Sequence, residues 1–209
     1  MGKHRTKYDP EALLDKYRVI RNGVSENEFF RSPKHQKTME MWCAAHFARA
    51  YARYVHSCFV LIDDKDIQTD VDFDLEINGV THPFQVTEVT EPDRRRGDEY
   101  KSGKRSVIYT PNIELGTELG STWVRDALEK KLAKHYADSS ELNMLAYLNF
   151  AGRNQQYVEL RDKCTDVAKH FASVWLLNGN TFCCIRSNER IQSWEGWMLI
   201  DESLAETDA

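Results

Sequence analysis

Residues 69–89, TDVDFDLEINGVTHPFQVTEV, alternate cleanly between apolar and polar positions. Val71, Phe73, Leu75 and Ile77 fall on one face of an extended strand, and Asp70, Asp72, Asp74 and Glu76 fall on the other. Asn78-Gly79 is the preferred pair for a two-residue type I′ turn, so Val80 to Val89 reads as the returning strand. That turn sets Ile77 opposite Val80 and Phe73 opposite Phe84, and further along Val71 opposite Val86, Asp72 opposite Gln85 and Asp70 opposite Thr87. One face of the hairpin is therefore predicted to be crowded with carboxylates.

The period changes on either side of the hairpin. Leu13, Leu14, Tyr17 and Ile20 recur at helical spacing and predict a helix over residues 10–21. An irregular link follows, and Ser32-Pro33 is placed to open a second helix, with Pro near its first turn. That helix is marked by Met41, Ala44, Ala45, Ala48, Tyr51, Ala52 and Val55, and its alanines imply close packing against another element. CFVLID reads as a short buried strand. Residues 91–120 read as a long irregular excursion, after which Ser121 or Thr122 caps a helix to about Asp138 with a stripe of Trp123, Ala127, Leu128, Leu132 and Tyr136. NMLAYLNF predicts a strand, QYVELRDKCTDVAKHFA a helix, and SVWLLN-GN-TFCCIRS a strand pair, with a further edge strand in WEGWMLID. A meander followed by a crossover helix and another strand implies an α/β fold, a mixed central sheet of about five strands flanked by helices. Residues 1–35 read as a helical N-terminal extension, 36–200 as one domain and 201–209 as a frayed tail.

Composition narrows this picture only modestly. The 209 residues suit one domain, and no segment is apolar for long enough to span a membrane. The charged N-terminus lacks an apolar signal core, and the five cysteines show no C-x-x-C spacing, so the chain reads as cytoplasmic with reduced, buried thiols. A net charge of −5 argues against a surface that tracks nucleic acid everywhere, but not against a local basic site. The seven histidines form no H-x-x-x-H or H-E-x-x-H arrangement, and G-x-S-x-G, Walker and G-x-G-x-x-G motifs are absent.

The chemistry is concentrated on the acidic face of the hairpin. Together with the order of elements over roughly residues 36–185, it resembles the PD-(D/E)XK nuclease superfamily, the restriction-endonuclease-like fold. That resemblance implies metal-assisted phosphodiester hydrolysis, with carboxylates holding Mg²⁺ or Mn²⁺ and a lysine assisting the attacking water. Asp72, or Asp74, matches the aspartate of the second core strand. Gln85 stands where that family has Glu, Thr87 where it has Lys, and Glu40 is the carboxylate offered by the preceding helix. Glu88 has the opposite parity and would join the ligands only if a bulge near Thr87 turned it. A basic residue could arrive from the following segment in place of the missing lysine. The departure at Thr87 keeps an alternative open: a catalytically inactive module on the same fold, serving protein interaction or structure.

RRRGDEYKSGKR follows the hairpin with six basic and two acidic residues, a surplus unusual in an acidic chain. Arg94, Arg95, Arg96, Lys101, Lys104 and Arg105 are the expected contacts to a nucleic-acid backbone, with Tyr100 and Tyr109 as candidate stacking residues.

Overall fold

The fold is seen in a computed structural model of the chain, which describes residues 5–25, 28–29, 32, 35–63, 71–92, 94, 112–134, 138–152 and 156–200. The hairpin forms as its alternation predicts. β3 (Phe73–Ile77) and β4 (Val80–Val89) pair antiparallel with Ile77 opposite Val80 and Phe73 opposite Phe84, around Asn78 and Gly79 at φ 52° and 78°. β2 (Phe59–Asp63) pairs with the outer side of β3.

Beyond this hairpin the sheet is larger than expected, with eight strands among the described residues instead of about five, in sequential order β1 to β8. β1 (Arg5–Tyr8) covers the edge of β2. On the other side β5 (Asn143–Leu148) runs parallel to β4, and β6 (Ser173–Asn178) runs parallel to β5. β7 (Thr181–Ser187) and the two-residue β8 (Met198–Leu199) complete the sheet antiparallel.

Parallel neighbours need crossovers, and α3 (Ile113–Leu132) and α4 (Tyr157–Ala168) supply them. Both pack on one face, over Met144, Ala146, Val174 and Leu176. α1 (Pro10–Asn22) and α2 (Gln36–Tyr54) cover the opposite face, over Phe73, Phe84, Leu145 and Trp175. Leu13 and Leu14 of α1 share that core with Ala44, Ala45 and Ala48 of α2, all of them buried, so small side chains let the two helices approach closely. A buried polar thread pins the start of the parallel strands. Asn143 donates to the Pro83 carbonyl at 2.9 Å, Ser173 Oγ donates to Asn143 Oδ1 at 2.6 Å, and Trp175 Nε1 donates to Ser173 Oγ at 2.7 Å.

Four boundaries differ from the sequence reading. The second helix begins at Gln36 rather than at Ser32-Pro33, with Pro33 outside the described residues. The long excursion is shorter, because α3 starts at Ile113 with Asn112 as its cap, whose side chain accepts the Leu115 N–H; Ser121 and Thr122 lie within the helix, which ends at Leu132 instead of Asp138. Gly116, inside the stretch read as irregular, is a packing position: a Cβ there would stand 1.8 Å from the Ala151 carbonyl oxygen. Finally, β3 begins at Phe73, four residues later than residue 69.

Candidate functional site

The site exists because β3 leaves the sheet early. Among the described residues the ladder between β3 and β4 ends at Phe73 opposite Phe84, while β4 continues to Val89 paired with β5. Asp72 does not extend the ladder opposite Gln85. Its N–H donates to the Phe84 carbonyl at 2.9 Å, the carbonyl that already faces Phe73. The backbone kinks there, and Val71 packs into the core under α3 and α4 rather than sharing the Phe73 face. Asp70 lies outside the described residues.

A strand that loses its neighbour exposes backbone groups at every second residue. Here side chains take the ladder's place at Val86. Asp72 Oδ2 accepts the Val86 N–H at 2.8 Å, and Lys131 Nζ, from the last turn of α3, donates to the Val86 carbonyl at 3.0 Å. A carboxylate and an ammonium are thereby fixed at neighbouring points on one strand edge.

The first turns of α2 bring a second pair. Glu40 Oε2 lies 3.3 Å from Lys37 Nζ, and Glu40 Oε1 accepts from Gln36 at 3.3 Å. Burial raises the Glu40 carboxyl above its ordinary range, and the charge of Asp72 raises it further, with Lys37 opposing. Burial also raises Asp72, against the Val86 N–H and the cations Lys131, Lys37 and Arg5. Lys131 is lowered by burial, while Asp72 and Glu40 oppose that shift and Lys134 adds to it. Asp72, Glu40, Lys37 and Lys131 thus form one mutually responsive cluster.

The remaining candidates are distributed around it. Gln85 is only 8% exposed, and its carbonyl oxygen Oε1 has no hydrogen-bond partner among the described residues, an unusual state for a buried acceptor. Thr87 is buried and borders a cavity of about 460 Å³ between the end of β4 and α3. Asp74 is engaged elsewhere: Arg5 of β1 pairs with its carboxylate and also donates to the Val71 carbonyl at 3.3 Å. Glu88 keeps the parity opposite to Gln85 because the β4–β5 register runs through it without a bulge. It is exposed and accepts from Asn149 at 2.6 Å. Arg94 donates to the Asn149 carbonyl at 2.7 Å and borders the same cavity as Thr87. Arg95, Arg96, Lys101, Lys104 and Arg105 lie outside the described residues, as do Tyr100 and Tyr109.

No family model, no curated protein and no solved structure matches this chain. The site is therefore read from its own chemistry. Among the described residues no helix is long and apolar enough to cross a membrane.

Lys131, Lys37 and Arg5 were not among the candidates drawn from the sequence, although two of them carried a signal. Lys131 stands in phase with Trp123 and Ala127 on the apolar stripe of its helix, and a lysine in that phase is directed inward. Lys37 stands three residues before Glu40, the spacing of a helical ion pair. Arg5 offered none, because RTKY has no apolar alternation.

The direction of the Glu40 shift makes a stability prediction. A carboxyl raised in the folded state adds stability at acid pH that is lost as pH rises through the raised value. Glu40→Gln should therefore leave Tm unchanged at about pH 4 or below and raise it near neutrality. A Tm that falls at neutral pH would mean that the Lys37 pair outweighs burial and the Asp72 charge.

Proposed function

We propose that the chain is a metal-dependent nuclease-like phosphodiesterase of the restriction-endonuclease-like kind. The observation that carries this reading is a half-buried carboxylate and a half-buried lysine fixed at one strand edge, Asp72 and Lys131 at Val86, with the half-buried Glu40 near enough to be raised by the Asp72 charge. The order α2–β2–β3–β4–α3–β5, with β4 and β5 parallel, supports it as the arrangement that the resemblance implies.

Among the described residues no three His, Cys, Asp or Glu side chains form a ready metal cage. The candidate donors are two carboxylates, to which the amide oxygen of Gln85 on the adjoining stretch of β4 would have to turn. Asp72, Glu40 and the unpartnered Gln85 Oε1 are hard oxygen donors of the type that Mg²⁺ or Mn²⁺ takes. Such an ion, when bound, polarises the phosphodiester and acidifies a coordinated water. The chain's own part is to hold Asp72 by the Val86 N–H and Glu40 by Gln36 and Lys37, so that neither has to be ordered on binding. Lys131 fills the role left vacant by Thr87. Its ammonium, anchored on the Val86 carbonyl, is placed to stabilise negative charge developing on phosphate, and its lowered pKa eases proton exchange with water.

Cleavage of single- and double-stranded DNA and RNA with Mg²⁺ or Mn²⁺ tests the proposal. Activity is expected in the parent and not in Asp72→Asn, and equal activity in both would mark a contaminant. Metal should also raise Tm by mass action, by about 2.7 kcal/mol of stability at a hundredfold excess over Kd, and Asp72→Asn should abolish that rise. A metal-insensitive Tm with no cleavage would favour the non-catalytic alternative.

A further inference from the structure

The cavity of about 460 Å³ beside the carboxylate cluster has a polarity that the nuclease reading does not use. α3 runs back along β4, because it connects the end of β4 to the start of the parallel β5. Lys131 consequently sits at Val86, while Trp123, eight residues earlier and roughly 12 Å away along the helix, packs edge-on to Phe150 beyond the end of β5. The cavity spans both positions.

Its two ends differ in charge. Lys130, Lys131 and Lys134 gather at the end next to Asp72, and Lys130 and Lys134 are exposed and form no ion pair among the described residues. Towards the other end stand Asp126, one turn before Lys130 on the same helix stripe, and Glu91, two residues beyond β4, with Glu88 also on the lining; Arg94, held on the Asn149 carbonyl, stands among these carboxylates and is outnumbered by them. Between them Trp123, Ala127 and Val89 offer an apolar floor. A bare phosphate would use only the lysine end and would be repelled by the other. A nucleoside alone would leave the lysines without a counter-charge. A nucleotide satisfies both ends, with its phosphate on the lysines, its base over the apolar floor, and its sugar hydroxyls or exocyclic amines donating to the carboxylates.

We infer that this cavity binds one nucleotide unit, phosphate towards Lys131 and base towards Trp123, and so fixes the nucleotide that neighbours the scissile phosphate. The inference rests on the nuclease reading for its place in the reaction, but its binding chemistry stands alone. Lys130 and Lys134 are the phosphate-binding residues, and Ala127 sets the space left for the base. The cations that grip the substrate therefore include the end of α3 and not only the segment after the hairpin.

Calorimetric titration of the full chain without metal, in the cleavage-deficient Asp72→Asn background as well as the parent, separates this inference from the nuclease reading. The probes are AMP, CMP, GMP and UMP, with adenosine, ribose 5-phosphate and inorganic phosphate beside them. At least one nucleotide should bind about tenfold more tightly than adenosine or inorganic phosphate. Lys130→Glu/Lys134→Glu, an exposed pair whose replacement leaves the core intact, should weaken it by a further factor of about ten or more. Ala127→Leu should remove the preference for nucleotide over ribose 5-phosphate. Inorganic phosphate binding as well as the nucleotides, or nucleotide affinity unchanged in the lysine variant, would overturn the inference, and so would no binding by any nucleotide. Cleavage activity in the parent with no nucleotide binding would overturn the pocket and leave the nuclease reading standing. Nucleotide binding without cleavage would do the reverse. An oligonucleotide with an abasic position beside the cleavage point distinguishes a unit within a strand from a free nucleotide: it should be cut poorly only in the first case.

Discussion

Gly116→Ala is expected to destabilise the protein by about 3–5 kcal/mol, a fall in Tm of roughly 10 °C, visible in thermal or urea denaturation. The substitution should be favourable on local grounds, since alanine is preferred to glycine inside a helix by about 1 kcal/mol. The surroundings reverse the sign. The new Cβ would lie 1.8 Å from the Ala151 carbonyl oxygen and 2.8 Å from its carbon, and both atoms belong to backbone rather than to a side chain that could swing away. The approach is mutual, because a Cβ on Gly152 would meet the Gly116 backbone at 2.8 Å. α3 can accommodate the methyl only by lifting off the loop that follows β5. Gly23→Ala provides the contrast. There the nearest atoms would be 3.4 and 3.5 Å away and φ is −80°, so that variant should stay within about 0.5 kcal/mol of the parent.

Asp72→Ala should be the most damaging change in the candidate site, costing about 3 kcal/mol of stability together with all metal response and cleavage. The Val86 N–H loses its acceptor, and the half-buried ammonium of Lys131 loses the carboxylate that most favours its charge, keeping the Val86 carbonyl and the weaker pull of Glu40. Much of the cost comes from that weakened compensation. The double variant Asp72→Ala/Lys131→Met should therefore be more stable than the two single losses added together, with a coupling of about 1–3 kcal/mol in a double-mutant cycle. Strictly additive losses would separate Lys131 from Asp72 and remove it from the proposed chemistry. Lys131→Met alone should keep the metal-dependent rise in Tm and lower the cleavage rate by about 10²–10³.

The hairpin was legible because its alternation and its Asn78-Gly79 turn specify one register, and Phe73 indeed faces Phe84. The helices were legible wherever an apolar stripe ran unbroken, as in α1 and α2. What escaped the pattern was tertiary in origin. β1 is a strand because the edge of β2 offers it hydrogen bonds, not because RTKY favours one. The start of α3 was read as irregular, and the reason for Gly116 there is a loop more than thirty residues away. At Asp72 the pattern predicted a continuing ladder, and the backbone instead bends so that the carboxylate does a peptide group's work. For the site, the acids were legible by type and spacing. The cations that answer them were legible only in part: Lys131 and Lys37 carry a helical phase, but nothing in the sequence says that Lys131 and Arg5 reach this hairpin from elements distant along the chain.

Among the described residues no strand pairs with the β3 side of β4 beyond Phe84, and this also bears on how the chain behaves in a crowded solution. An uncovered strand edge is a template for another strand, and pairing there would be the first step of self-association. At Val86 the two groups that a foreign strand would need are already taken by Asp72 and Lys131, and both bring charge to the place where that strand would have to lie. The residues assigned to chemistry thus double as guards against aggregation. Selection for solubility alone would retain them, even in a descendant that no longer cut anything.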